Sequence, residues 1–489
     1  MDRAAARRTG GPRPAGPSQS MASGGCDVTR QTKIGVLTMA LLEDAYNKTA
    51  HMRPAATETA RGVARALEPY GTVVHPGLVE DEDQAAAAAR QFNAEGVDII
   101  VAMELAYTKG LVPARCFLDT TAPVLVWNTQ QIGRLQEGDG FDVIMLNSGM
   151  AGMPELTAAL IRTGREFSLV TSRFDDPAGR EKLARVIQAA GVRSRLRSAK
   201  VGLVGHPFEG MTDLMFDAVA LRQSVGPALW PVEPEAVAVR FGEIPQSEVD
   251  DLVAAERARY HVEMEADLFE RSVRLALALE SVAREQRLDA FTAFDQVWLS
   301  DPRVGVIPSY GTGRLCEVGI PAAPEGDVTT AVSQLVMQEL AGQATTLENY
   351  VIDFDNNAVM FSHDGHGNPA LGTPGAVAVK HSIYYKGVHG YGAGFEFVYE
   401  PGPITNLAIV TVGDNRWRFV ISEGQLLPME PRPISAPQAL FRHDTLAVDE
   451  WCNAWLRAGA PHHMGAARGR WTAQLLELAQ MQGIEAVIV

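Results

Sequence analysis

The chain has 489 residues, 46% of them apolar and 21% charged, and its 43 Lys and Arg against 59 Asp and Glu give a net charge of −16. At ~100–200 residues per domain this length holds two to four domains with full cores; no apolar run reaches the roughly 18–20 residues of a membrane span, and an acidic chain with no gathered basic face repels nucleic acid. Four cysteines (Cys26, Cys116, Cys316, Cys452) show no C-x-x-C spacing, which fits free thiols in a reducing cytoplasm better than a disulfide framework or a thiolate zinc site.

Residues 1–32 are rich in Gly, Ala, Pro and Arg with no apolar segment behind the arginines. This reads as a disordered tail rather than a secretory signal, and Met21 is an alternative start.

From Lys33 short apolar runs alternate with amphipathic stretches. Lys33–Met39, Thr72–Val79, Val97–Met103, Pro123–Trp127 and Asp142–Leu146 read as strands, with helices at Arg53–Leu67 and Asp81–Asn93. Parallel strands need helical crossovers, so residues 33–165 are expected to form a doubly wound α/β domain. The pattern restarts after Gly164 in a second α/β domain, 166–346. Its expected strands are Phe167–Thr171, Lys200–Val204 and Leu229–Val232, and its helices Ala178–Ala190, Met211–Val225, Ser247–Arg259 and Glu265–Arg287. In the last of these Leu268, Leu275, Leu279 and Val282 keep the spacing of a buried stripe. Over 347–489 the helical period fades. Tyr350–Phe354, Ala358–Ser362, Asn406–Val412 and Trp417–Ser422 read as strands, Gly413-Asp414-Asn415 as a tight hairpin loop, and Trp471–Met481 as a closing helix before a last apolar run at Ile484–Val489, so this domain is mostly β.

Seven of the eleven histidines (His363, His366, His381, His389, His443, His462, His463) fall in this last domain, which suggests metal or acid–base chemistry, although β-loops also carry His without function. Pro324-Glu325-Gly326-Asp327 precedes an expected helix, Val328–Leu340. Asp327 reads as its N-cap, and Glu325 either as a dipole-favoured neighbour or as a metal carboxylate whose Gly326 lets backbone approach. Glu348 begins one strand and His363 ends the next, so a hairpin would bring carboxylate and imidazole to one point, as a divalent ion such as Mn²⁺ requires. His462-His463 offers a further ligand or else an exposed helix start. A dinucleotide G-x-G-x-x-G turn, a P-loop and a G-x-S-x-G elbow are missing, and the glycine-rich run Gly387–Gly394 lies among strand-like aromatics and reads as a β-turn segment.

Taken together, PEGDVTTAVSQLVMQEL (324–340), LENY (347–350), the Ser-His of 362–363 and AWLRAGAPHHMG (454–465), with weaker matches at NTQQIGR (128–134) and AFTAFDQ (290–296), resemble the L-arabinose isomerase and L-fucose isomerase superfamily, most of all its L-arabinose isomerase branch. The resemblance implies a three-domain, homo-oligomeric (tetrameric or hexameric), Mn²⁺-dependent aldose–ketose isomerase working through a cis-enediol, with active sites where subunits meet. It implies Glu325, Glu348, His363 and His463 as metal ligands, the two glutamates as acid and base, and Phe294, Tyr350 and His462 as substrate contacts. Asn147-Ser148-Gly149-Met150-Ala151 stands where that branch has a Gln-Ser-Ala-His segment, and Thr38–Asp44 does not match its sugar-contacting loop. The expected sugar-recognition wall is therefore altered, with Met150 toward the far end of the substrate. A metal-dependent sugar aldolase or lyase, or a non-catalytic sugar-binding relative, is the alternative.

Overall fold

The computed structural model describes residues 31–45, 48–382 and 391–489. The expected tail lies outside them except for its last two residues, as do His389 and residues 387–390 of the glycine-rich run. Residues 32–489 pack as one compact unit.

Three sheets organise this unit. The first is parallel and contains β1 (Lys33–Met39), β2 (Thr72–Val74), β3 (Leu78–Val79), β4 (Ile99–Glu104), β5 (Val124–Asn128) and β6 (Phe167–Thr171), in the order β2-β1-β4-β5-β6 with β3 also on β1. Its strands read as continuous apolar runs because both faces are covered. Ile34 and Val36 enter one apolar cluster while Leu37 and Met39 enter another on the opposite side. The second sheet is also parallel, with β7 (Lys200–Val204) and β8 (Ala228–Val232) beside β10 (Ala290–Ala293) and β11 (Ala322–Ala323) in the order β11-β10-β7-β8; β9 (His261–Glu263) lies outside it.

The third sheet has ten strands and is mainly antiparallel. It combines β9 with β12 (Thr345–Asp353), β13 (Ala358–Ser362), β14 (Ala378–His381), β15 (Ala393–Val398), β16 (Gly402–Val412), β17 (Arg416–Leu427), β18 (Pro437–His443), β19 (His463–Arg468) and β20 (Glu485–Ile488). Two parallel α/β sheets followed by a mostly-sheet C-terminal region match the expected fold class. The β16–β17 hairpin closes through residues 413–415, where Asp414 and Asn415 take positive φ as short polar residues tolerate.

Several elements differ from the sequence reading. Phe167–Thr171 pairs in parallel with β5, so the first sheet runs past residue 165. Residues 142–145 lie in a short helix, Phe141–Met145, which Leu146 caps; so brief an apolar run has no diagnostic period, and Asp142 in the first turn favours the helix. The expected Met211–Val225 helix is broken into a turn at Thr212–Leu214 and two short segments, since the Asp217 side chain caps Ala220 N and restarts the chain. An additional helix, Val448–Arg457, crosses the β region and buries Trp451 and Trp455. The His pair lies at the start of β19, not of a helix, with His463 its first residue.

Candidate metal centre

The centre forms where β12, β13 and β19 meet the turn after β11. Antiparallel register sets Glu348 opposite Ser362, beside His363, on one side and opposite His463 on the other. The hairpin expected from sequence is thus real, and β19 completes it.

Glu325 arrives from the second sheet. Its backbone has φ +60° and that of Gly326 +71°. A Cβ at Gly326 would lie 2.3 Å from the His206 carbonyl oxygen, so glycine is needed for close packing of two backbones as well as for the turn. The strained Glu325 peptide is held at both ends: its N–H donates to Asp295 Oδ1 (3.3 Å), and its carbonyl accepts from Phe208 N (2.9 Å). The chain then enters the helix Val328–Ala341, with Asp327 as N-cap.

Two overlapping sets of ligand atoms result, each within 4.8 Å: Glu348, His363 and His463, and Glu325, His462 and His463. His363 Nε2 is 3.9 Å from Glu348 Oε2, and His463 Nε2 is 3.9 Å from Glu325 Oε2. His363 and His463 are buried at 4% and 0% exposure. Glu325 Oε2 and the Nε2 atoms of both histidines are buried without a hydrogen-bond partner. Unpaired buried polar atoms are costly, and four converging donors, two carboxylate and two imidazole, fit a divalent first-row cation.

The electrostatics favour that use. Burial, then the neighbouring His463, drives the His363 pKa far below its ordinary value, which leaves a neutral imidazole. Asp327 is buried, yet its hydrogen bond with His463 holds its pKa low and keeps it an acceptor. Nδ1 of His463 therefore donates to Asp327 Oδ2, and its Nε2 faces the carboxylates. Burial raises the Glu348 carboxyl, against the pull of His463 and His462.

The other expected site residues are placed unevenly. His462 lies at the rim, with Nδ1 on Asp213 Oδ2 and Nε2 3.8 Å from Glu325 Oε2. Although burial opposes it, the Asp213 and Glu325 carboxylates push His462 up to about 10, while the same contact draws Asp213 down to about 2. Phe294 stacks on His206 (ring centroids 4.5 Å) and meets Phe208 edge-on, next to the Glu325 clamp. Tyr350 is 46% exposed, and burial of its hydroxyl end together with the Glu348 charge raises its phenol pKa. Met150 is not part of this cluster. It is exposed near the start of the helix Gly149–Arg162, its sulfur accepting from Asn128 Nδ2.

Asp213 carries no local signal in the sequence, and Asp295, although within the AFTAFDQ stretch, has none there that marks it as a site residue. Each acquires a role only when chain segments far apart meet. Asp295 is enclosed by burial beside Glu325, which raises its pKa well above the carboxylate range.

Residues 343–485 match the L-arabinose isomerase C-terminal domain family. The chain is 23% identical over 402 residues to a sulfoquinovose isomerase of Priestia megaterium, covering 80% of this chain and 85% of that protein. It is 24% identical over 365 residues to an L-arabinose isomerase of Acidothermus cellulolyticus (71% of each chain). It is 21% identical over 446 residues to an L-arabinose isomerase of Yersinia pseudotuberculosis (86% of each chain).

Proposed function

We propose that this chain, which belongs with the L-arabinose isomerase family, is a metal-dependent aldose–ketose isomerase whose sugar differs from L-arabinose. The observation that carries the reading is the convergence of Glu325, Glu348, His363 and His463 in two overlapping sets that share His463, with the inward atoms of Glu325, His363 and His463 otherwise unpartnered. The relatives named above, all sugar isomerases, support the reaction class.

Moving a carbonyl from C1 to C2 of an open-chain sugar requires removal of the C2 proton, a cis-enediol, and return of a proton to C1. A bound Mn²⁺ or similar ion would supply Lewis acidity toward the carbonyl and adjacent hydroxyl oxygens. The chain's own residues do the rest. Glu325 and Glu348 act as base and acid, and His363, kept neutral by burial, and His463, oriented by Asp327, complete a ligand shell. His462, fixed by Asp213, offers an N–H to a sugar hydroxyl at the rim, where Phe294 and Tyr350 wall the pocket.

Met150 and Ala151 lie exposed at the end of the Asn147–Ala151 segment of the first domain, which supports their reaching the substrate of a neighbouring copy in a homo-tetramer or hexamer. The reading places the enzyme in the cytoplasm; among the described residues no helix is long and apolar enough to cross a membrane. The test is to incubate Mn²⁺-loaded protein with pentoses, 6-deoxyhexoses, sulfonated hexoses and tetroses and follow the products by NMR. Ketose of unchanged carbon count is the expected product. Shorter fragments would make the enzyme a lyase, and no turnover of any sugar would make it a binding relative.

A further inference from the structure

A second polar feature lies apart from the metal centre, where the N-terminal ends of β5 and β6 meet the helices Pro177–Ser198 and Thr472–Gln482. A cavity of about 190 Å³ opens there, lined among others by Thr121, Arg165, Ser168, Arg193 and Gln480. Arg193 is its unusual member. Its Nε is buried without a hydrogen-bond partner, and no carboxylate or carbonyl among the described residues pairs with its guanidinium. Burial, then the charges of Arg197 and Arg165, pull its pKa down.

The surroundings deepen the imbalance. Arg165 is a fixed second cation, its NH1 and NH2 donating to the carbonyls of Phe117, Thr120 and Ala122. Gln480 is turned onto the Phe167 carbonyl, and Ser168 onto Glu477. Glu166 lines the cavity but forms no ion pair with Arg193. A guanidinium cannot shed its proton, so half-burying it with its Nε unpaired, beside the Arg165 guanidinium in the cavity and the exposed Arg197 one turn along its helix, costs free energy that a counter-charge offsets. That three arginines gather in a chain of net charge −16 makes the local field still more distinct.

We propose that this cavity is a binding site for a small tetrahedral oxyanion, free phosphate or the phosphate or sulfate group of a metabolite, held by Arg193 with Arg165 and Arg197 as supporting charges. A planar fork of N–H donors matches such an anion in two-point hydrogen bonding. Occupancy ties the first sheet to the C-terminal helix and so stabilises the folded chain.

The experiment is equilibrium dialysis of the full-length protein against inorganic phosphate at constant ionic strength, paired with thermal melting. Saturable binding near one per chain and a rise in Tm are expected, with sulfate competing and acetate not. Competition by a sugar phosphate but not by its parent sugar would identify a metabolite as the natural source; displacement by inorganic anions alone would identify free phosphate. Arg193→Gln should weaken binding roughly tenfold to a hundredfold, the range for a lost hydrogen bond to a charged group. Thr121→Glu, which sets a carboxylate at the rim without emptying the interior, should abolish binding even if Arg193→Gln fails to fold. Absence of saturable binding in the wild type overturns the proposal. So does binding that survives both substitutions, which would assign the phosphate to another site.

Discussion

Asp327 faces His463 across 3.1 Å with both side chains fully buried, and the same carboxylate caps the helix Val328–Ala341 through its other oxygen, which accepts from Thr330 N (2.9 Å) and Thr329 Oγ1 (2.8 Å). One residue thus terminates a helix and fixes the tautomer of an imidazole. Asp327→Asn separates the two tasks. The amide oxygen still accepts from Thr330, whereas the amide nitrogen faces Nδ1 and forces the proton to Nε2, where it blocks the lone pair. Metal affinity should fall ~10- to 100-fold, the usual cost of losing such a partner, with Tm of the metal-free protein little changed. Metal titration followed by calorimetry checks this; unchanged affinity would make Asp327 a cap alone.

Glu325→Gln and Glu348→Gln should each remove turnover while the fold stays intact. The amide keeps the shape and loses charge and proton affinity, and acid–base catalysis contributes ~10²–10⁴-fold. Circular dichroism establishes the fold and ketose formation the rate. A variant retaining near wild-type turnover would take its residue out of the mechanism.

The site was legible wherever it depended on strand ends. Glu348 and His363 were readable because a two-strand register brings neighbouring segments together, and the β12–β13 pairing does so. Asp213 and Asp295 were not, since nothing near them in sequence announces a carboxylate that will meet His462 or the Glu325 peptide. In the fold the same divide holds. Long periodic segments such as Ala266–Glu285 were plain, but the short run at 142–146 had no period to read. The Phe167–Thr171 strand was readable, while its membership of the first sheet depends on which edge was free to accept it.

Removal of the metal should destabilise the chain. Without an ion, the inward atoms of Glu325, His363 and His463 stay buried and unpaired, so binding is coupled to folding. An ion at 100 times its Kd adds about 2.7 kcal/mol. Dialysis against a chelator should therefore lower Tm, and Mn²⁺ should restore it in wild type and not in His363→Ala. Equal Tm with and without chelator would argue against a resident ion.

Glu104 sets a pH dependence remote from the metal centre. It ends β4 fully buried, so close under the helix Gly149–Arg162 that a Cβ at Gly152 would lie 1.7 Å from its Oε2. Burial raises its pKa to about 8 from an ordinary 4.5, with Thr108 N opposing weakly. A carboxyl raised in the folded state binds more protons there than when unfolded, so its contribution is harmless below pH 4.5 and increasingly unfavourable up to about pH 8. The loss amounts to at most about 5 kcal/mol. Urea unfolding of Glu104→Gln should show this fall in stability with rising pH removed; a parallel pH profile in both proteins would refute it.

Specificity provides the last prediction. The segment Asn147–Ala151 turns its asparagine inward: Asn147 Oδ1 accepts from Gln131 N and Ile132 N, and its Nδ2 donates to the Val143 carbonyl. The side chain is thus spent on its own loop and has nothing left for a sugar. Met150, 60% exposed, is the residue that projects. A wall of this kind discriminates poorly by hydrogen bonding, because strong selection against a missing hydroxyl requires polar groups left unpaired by the wrong ligand. L-arabinose should accordingly be a poor substrate, and a sugar with a deoxy or otherwise modified far end a better one. Met150→His, which restores a polar donor, should raise kcat/KM for L-arabinose relative to the preferred sugar. Wild-type kcat/KM on L-arabinose of ~10⁴ M⁻¹s⁻¹ or more, and the highest of the panel, would show that the wall does not select the sugar.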